Sequence, residues 1–235
     1  MHSHAFAINS ANSIAGSSWT LPGNTPGDKL EQAFVWRRSR VEPVGTLQPG
    51  WCSRPSAIND GGVVVGHSWH NGWPPRGVSR GFVWHSKLGL VALPDFGKGC
   101  VPIDINNGGT VVGFVTDANN KTVSVAWPGK SELALLPLPV GSIVMAINNR
   151  GDLGYNRETD GGVRAFVWIQ GLGEVTLPTY RGHRSEIRDL LDDLTAVGMV
   201  FAGRHSHAVR WLPLAELTRA RSAASQSQTG AGQQA

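Results

Sequence analysis

The segment Ala57-Ile58-Asn59-Asp60-Gly61-Gly62-Val63-Val64-Val65-Gly66 decides the fold. It reads as the end of one β-strand, a tight turn and the start of the next, because β-branched residues flank a cluster of Asn, Asp and Gly. Gly62 supplies the positive φ that a tight hairpin turn needs. Asn59 can bond its own backbone and set the turn.

The same pattern recurs along the chain as Ala7-Ile8-Asn9, Asp104-Ile105-Asn106, Ala146-Ile147-Asn148 and, in degenerate form, Asp189-Leu190-Leu191. Asn12, Gly109 and Gly151 hold the place of Gly62. Eight residues after the Ile or Leu stand Gly16, Gly66, Gly113 and Gly198, whereas the fourth copy has Tyr155 there and Gly154 one place early. Downstream, each copy carries a tryptophan: Trp36, Trp84, Trp127, Trp168 and Trp211, spaced by 48, 43, 41 and 43 residues. A period of this length marks a repeat architecture. A large apolar side chain at one position of every unit is expected to pack between neighbouring units.

Each repeat reads as four short strands. In the second, Pro55 to Asn59, Val63 to Ser68, Gly81 to Trp84 and Leu90 to Pro94 are the four, the last ended by a proline that cannot continue a ladder. A four-stranded unit this small cannot bury both faces alone, so it must lean on its neighbours. The predicted fold is therefore all-β: a five-bladed β-propeller of four-stranded antiparallel blades over residues 1–218. An open solenoid is the alternative. The fifth repeat is irregular, with Leu194 at the turn and no Leu-Pro strand after Trp211, so its blade is expected to have three strands or to end in a short helix after Pro213. Residues 219–235 are rich in Ser, Gln, Gly, Ala and Arg and are expected to be a disordered tail.

The repeats resemble the bacterial HAF-type extracellular repeat. The second part of that pattern is visible as Gln32-Ala33-Phe34-Val35-Trp36, Arg80-Gly81-Phe82-Val83-Trp84, Arg164-Ala165-Phe166-Val167-Trp168 and His207-Ala208-Val209-Arg210-Trp211. The resemblance spans roughly residues 5–213. It implies propeller-like repeats and a secreted protein, and no particular reaction. The stretch Met1-His2-Ser3-His4-Ala5-Phe6 shows no basic region followed by an apolar one, so compartment is left open between secreted and cytoplasmic.

Composition narrows the classes of function. Charged residues make up 16% and the formal charge is only +4, with Arg37, Arg38 and Arg40 the densest basic run; no nucleic-acid motif accompanies it. No stretch is long and apolar enough for a membrane helix. Cys52 and Cys100 do not make a disulfide framework and are expected to be free thiols. His2/His4 and His205/His207 have chelating spacing but lack neighbouring carboxylates, so no metal and no cofactor is expected.

Loops held by rigid strands are where ligands bind. The second-to-third-strand connection is long in repeats one and two, and both begin alike: Gly16-Ser17-Ser18-Trp19 matches Gly66-His67-Ser68-Trp69. Trp19, Trp69, Trp73, His70 and Arg76 are the candidate ligand-binding residues, an aromatic platform with polar neighbours suited to a sugar ring or a protein partner. The predicted function is a monomeric, non-catalytic binding module for carbohydrate or protein. One alternative is a glycoside hydrolase or lyase using paired carboxylates, with Asp60, Asp95, Asp104 and Asp117 as candidates by type. Another is an assembly scaffold without a small ligand.

Overall fold

A computed structural model of the chain describes residues 3–20, 30–70, 79–129, 131–179 and 183–212. Its described elements are all β-strands, arranged in five antiparallel sheets. The first sheet contains β1 (Ser3–Ile8), β2 (Ile14–Thr20), β3 (Leu30–Arg37) and β4 (Arg40–Gly45). The second contains β5 (Trp51–Ile58), β6 (Val64–His70), β7 (Arg80–His85) and β8 (Gly89–Ala92). The third contains β9 (Cys100–Ile105), β10 (Val111–Thr116), β11 (Thr122–Trp127) and β12 (Ala134–Leu135). The fourth contains β13 (Ser142–Ile147), β14 (Leu153–Thr159), β15 (Gly162–Ile169) and β16 (Gly173–Thr176). The fifth contains β17 (Ser185–Leu190), β18 (Ala196–Ala202) and β19 (His205–Trp211). Strands follow chain order within every sheet, so each repeat is a simple meander. The chain divides into two compact units, residues 1–144 and 145–235.

The recurrent glycine has a steric cause. In the first, second, third and fifth sheets the pairing of the first two strands shifts register beside it, for example between Pro55 and Ala57. Such a bulge bends the first strand over its neighbour. A Cβ on Gly66 would lie 2.2 Å from the carbonyl oxygen of Arg54, and one on Gly16, 2.5 Å from that of His4. Repeat four differs. There Tyr155 is fully buried, stacks on Phe166 at 5.4 Å and donates its hydroxyl to Glu174. Arg157 pairs with the same carboxylate at 2.8 Å and lies 4.4 Å from the Phe166 centroid. Gly154 sits one place early because a side chain there would meet Ile187 at 2.7 Å.

The turn asparagines do more than set their turns. Asn59 Oδ1 accepts from Val63 N–H at 3.0 Å, as expected of a turn-former, while its Nδ2 donates to the carbonyl of Asn106 in the next repeat at 3.1 Å. Asn9 likewise donates to Asn59 O, and in the second unit Asn148 donates to Leu191 O. The following residues form a parallel line: Ser10 N–H donates to Asp60, Asp60 N–H to Asn107, and Asn149 N–H to Asp192. Asp60 is thus a tie between repeats rather than purely local turn chemistry. The turn itself needs positive φ in every copy, and the fifth takes it at Leu194 with φ of 67°.

Two further ties recur at the junctions inside each unit. The N–H three residues before the tryptophan donates to the first strand of the next repeat: Ala33 to Ser53 Oγ, Gly81 to Cys100 Sγ, Ala165 to Ser185 Oγ. The indole of Trp127 donates to Pro94 O at 2.9 Å and that of Trp211 to Pro178 O at 2.7 Å. Trp84, Trp127 and Trp211 are buried in the apolar layers between sheets, as expected of the repeated tryptophan, whereas Trp168 is only half-buried. Trp36 is 40% exposed and Ile8 62%, so the same face of the first repeat stands uncovered within its unit.

Candidate ligand-binding site

The long connections of repeats one and two, residues 21–29 and 71–78, leave from the ends of β2 and β6 in the first unit. At their roots a polar cluster is built from residues of both repeats. Ser17 and His67 occupy equivalent positions on β2 and β6, and Glu31 is the second residue of β3, directly opposite Trp19. Glu31 is only 1% exposed. Its carboxylate accepts from Ser17 Oγ at 2.6 Å, from Arg54 Nε at 2.7 Å and from Arg54 Nη2 at 2.6 Å. A buried carboxylate is tolerable only when its lone pairs are filled in this way.

Arg54 extends from β5, and its side chain is 36% exposed, so one part of the guanidinium remains open to solvent. The rest is fixed. Its carbon lies 5.6 Å from the Phe6 ring centroid and 5.5 Å from that of Trp69, both within cation–π range. The hydrogen bonds to Glu31 hold the Arg54 pKa above its ordinary value.

His67 is the cross-strand partner of Arg54, and its ring lies 5.1 Å from that of Trp69. Burial, with the Arg54 charge second, pushes its pKa down to about 4 despite the opposing pull of Glu31. The imidazole is therefore neutral at pH 7. Its Nδ1 is enclosed and has no hydrogen-bond partner among the described residues. Cys52, directly opposite Trp69, is a buried free thiol whose pKa is raised, chiefly by burial.

Of the residues expected from sequence, Trp19 is half-buried at the end of β2, and His70 is exposed at the end of β6. Trp69 is buried, with Arg54 against its ring. Trp73 and Arg76 lie outside the described residues. Sequence reasoning missed Glu31, Arg54 and His67. The one available signal was His67 itself, a histidine where the matching repeat has Ser17.

The four acids considered for catalysis are each engaged by nearby backbone or by the ladder between repeats. Asp60 accepts from Ser10 N–H and Asn107 Nδ2. Asp95 accepts from Gly97 N–H, Asp104 from Ile105 N–H, and Asp117 from Asn119 and Lys121 N–H. Among the described residues no group of His, Cys, Asp and Glu is gathered to hold a metal ion. No helix among them is long and apolar enough to cross a membrane.

No protein-family model matches the sequence, and no curated protein matches it either. Solved structures do resemble the fold. TolB from Acinetobacter baumannii aligns with a TM-score of 0.61 at 13% identity, over 90% of this chain and 52% of that one. The β-propeller domain of the Trilobed protease from Pyrococcus furiosus aligns with a TM-score of 0.52 at 14% identity, over 77% and 52%. Pyrococcus horikoshii acylaminoacyl peptidase gives 0.51 at 10% identity, over 88% and 37%. The chain spans about half the length of the first two. At these identities the likeness establishes a β-propeller-like fold alone.

Proposed function

We propose that the protein is a non-catalytic binding module that recognises a carbohydrate through the connections 21–29 and 71–78 of its first two repeats. The observation that carries this reading is the Arg54 guanidinium, fixed by buried Glu31 between the Phe6 and Trp69 rings at the root of both connections. Its charge is already met by a carboxylate. What it offers a ligand is a rigid set of hydrogen-bond donors beside aromatic surface, and neutral His67 adds no cation. Fixed planar donors next to aromatic rings suit a neutral polyhydroxylated ligand better than an anion. Trp19, Trp73, His70 and Arg76 would supply the contacts nearer the ligand.

A glycan array, followed by titration of any hit, tests the reading. Arg54→Lys keeps the charge but loses the planar fork, and Trp19→Ala and Trp73→Ala remove aromatic surface. Each should weaken binding at least tenfold. A chain that binds no glycan but captures a protein would move the assignment to the protein-binding reading. Binding untouched by all three variants would remove the site from both.

We further propose that residues 1–218 form a five-bladed propeller of the HAF-type repeat family. The repeat count and the propeller-like alignments support the propeller, as does the uncovered face of the first repeat, whose equivalents at Ile58 and Trp84 are buried; the family reading rests on the repeat motif alone. Small-angle scattering should give a radius of gyration of about 17–18 Å for a compact chain of this length. A clearly larger value would favour an open array.

A further inference from the structure

Arg54 and Arg184 make the same reach in different units. Each stands at the start of its repeat and lies against an aromatic ring on the second strand. Arg54 is 5.5 Å from the Trp69 centroid, and Arg184 is 5.3 Å from that of Phe201. Trp69 and Phe201 are both the last residue but one of their strands, β6 and β18. Each arginine also reaches back to the start of the third strand of the repeat before it. Arg54 meets Glu31, the second residue of β3. The Arg184 stem lies on Gly162, the first residue of β15, where an added Cβ would stand 2.9 Å from its Cγ and 3.1 Å from its Cδ.

The partner differs between the two. Val163 holds the place of Glu31: each is second in its strand, Val163 opposite Glu158 on β14 and Glu31 opposite Trp19 on β2. Arg184 is exposed and forms no ion pair or side-chain hydrogen bond among the described residues. Glu158 and Asp160, on the strand and turn it faces, therefore leave its charge unmet. A second guanidinium stands close by. Arg164 follows Val163, donates from Nη1 to Thr179 Oγ1 at 2.8 Å, and holds its Nη2 3.4 Å from where a Cβ on Gly161 would lie. Gly161 and Gly162 are consecutive, with Cα atoms about 3.8 Å apart. The two arginines thus flank one small patch of bare backbone.

We infer that Arg184, with Arg164 across the Gly161-Gly162 turn, binds a tetrahedral oxyanion, the head group of a phosphate or sulfate monoester. In the first unit the chain supplies the anion itself, through Glu31; in the second it comes from outside the chain. A guanidinium presents parallel N–H donors that match two oxygens of such a group. The Phe201 ring and the Gly162 backbone already seat the Arg184 side chain, so less freedom is lost when the anion binds. The two glycines leave room for the remaining oxygens. This site lies wholly in the second unit and does not rest on the carbohydrate reading.

The test uses the full-length chain and two probes that carry no sugar, methyl phosphate and methyl sulfate. Each is titrated at constant ionic strength while the arginine Nε–H signals are followed by NMR. A saturable shift at Arg184 with either ester supports the site, and the tighter ester names the source. Arg184→Gln should weaken that binding at least tenfold. Gly161→Asp, which sets a carboxylate beside Arg164, should do the same. Arg188→Gln, whose arginine is already paired with Glu186, and Trp19→Ala in the first unit should leave it unchanged. If Arg184→Gln fails to fold, Arg184→Lys gives the comparison, since it keeps the charge and loses the planar fork. No saturable shift with either ester overturns the proposal. So does equal binding by the native and Arg184 proteins. A loss in Arg188→Gln as large as in Arg184→Gln also overturns it, because diffuse surface charge would then be the cause.

Discussion

The backbone N–H of Gly81 donates to the Sγ of Cys100 at 3.2 Å, and a methyl group on Gly81 would lie 2.8 Å from that same sulfur. At the corresponding junctions the donor is Ala33 or Ala165 and the acceptor is Ser53 or Ser185. The larger sulfur is thus matched by the smaller residue facing it. Gly81→Ala alone should destabilise the protein by about 1–3 kcal/mol through overpacking. Combined with Cys100→Ser, part of that loss should return, and a double-mutant cycle in urea should give a coupling of at least about 0.5 kcal/mol. Strict additivity would mean that the two positions do not compensate each other. Pro102 also approaches the added methyl at 2.9 Å, so recovery is expected to be incomplete.

His67 ties stability to pH. Its folded pKa is about 4 against an ordinary 6.5, so the unfolded chain takes up a proton that the folded one refuses. Stability from this residue is fully present above about pH 6.5 and is lost as pH falls toward 4. Between pH 7 and pH 5 the loss should be about 2 kcal/mol. Urea midpoints measured at the two pH values should show it, and His67→Gln should flatten the difference by most of that amount.

The Glu31–Arg54 pair should break asymmetrically. Arg54→Ala leaves a buried carboxylate with Ser17 as its remaining side-chain donor among the described contacts, a change expected to cost about 3–5 kcal/mol. Glu31→Gln keeps an oxygen for Ser17 and leaves Arg54, which already reaches solvent, to be hydrated; about 1–2 kcal/mol is expected. Chemical denaturation at pH 7 checks the order. Equal costs would mean that the carboxylate is better solvated than its burial indicates.

Asn59 separates turn from tie. Asn59→Asp keeps the oxygen that accepts from Val63 N–H but loses the donor to Asn106 O, while Asn59→Ala loses both. A loss of about 1 kcal/mol is expected for the first and a loss roughly twice that for the second. Thermal unfolding should rank them in that order, with the native protein highest.

The repeat was legible because it rests on local chemistry. Ile58-Asn59 followed by Gly62 and Gly66 states a strand end, a positive-φ turn and a close backbone approach within ten residues; the third copy restates it in full, and the first, fourth and fifth in part. The tryptophan spacing gave the buried layers at Trp84, Trp127 and Trp211 for the same reason, but not at exposed Trp36 or half-buried Trp168. The polar cluster was not legible, because it forms where the copies differ. Glu31 and Arg54 are separated by 23 residues and belong to different repeats, so no local pattern announces their pairing. Trp69 looked like an open aromatic surface beside a loop; Arg54 covers its ring, and its burial follows from that long-range pair. The forward reach of the asparagine amides was hidden in the same way, since a turn-forming Asn and a bridging Asn are spelled alike.

That forward reach gives the array a direction of growth. Asn9 and Asn59 in the first unit and Asn148 in the second each hand their amide to a carbonyl of the repeat after it, and in the second unit Leu191 receives and has no side-chain amide to pass on. A duplicated copy slipped in between the second and third repeats would find a matching donor before it and a matching acceptor after it. The same copy spliced behind the fifth would meet an aliphatic side chain where the amide should be. Lineages that lengthen this protein by unequal recombination should therefore gain copies from the interior, with the leucine-bearing repeat always carried along at the rear.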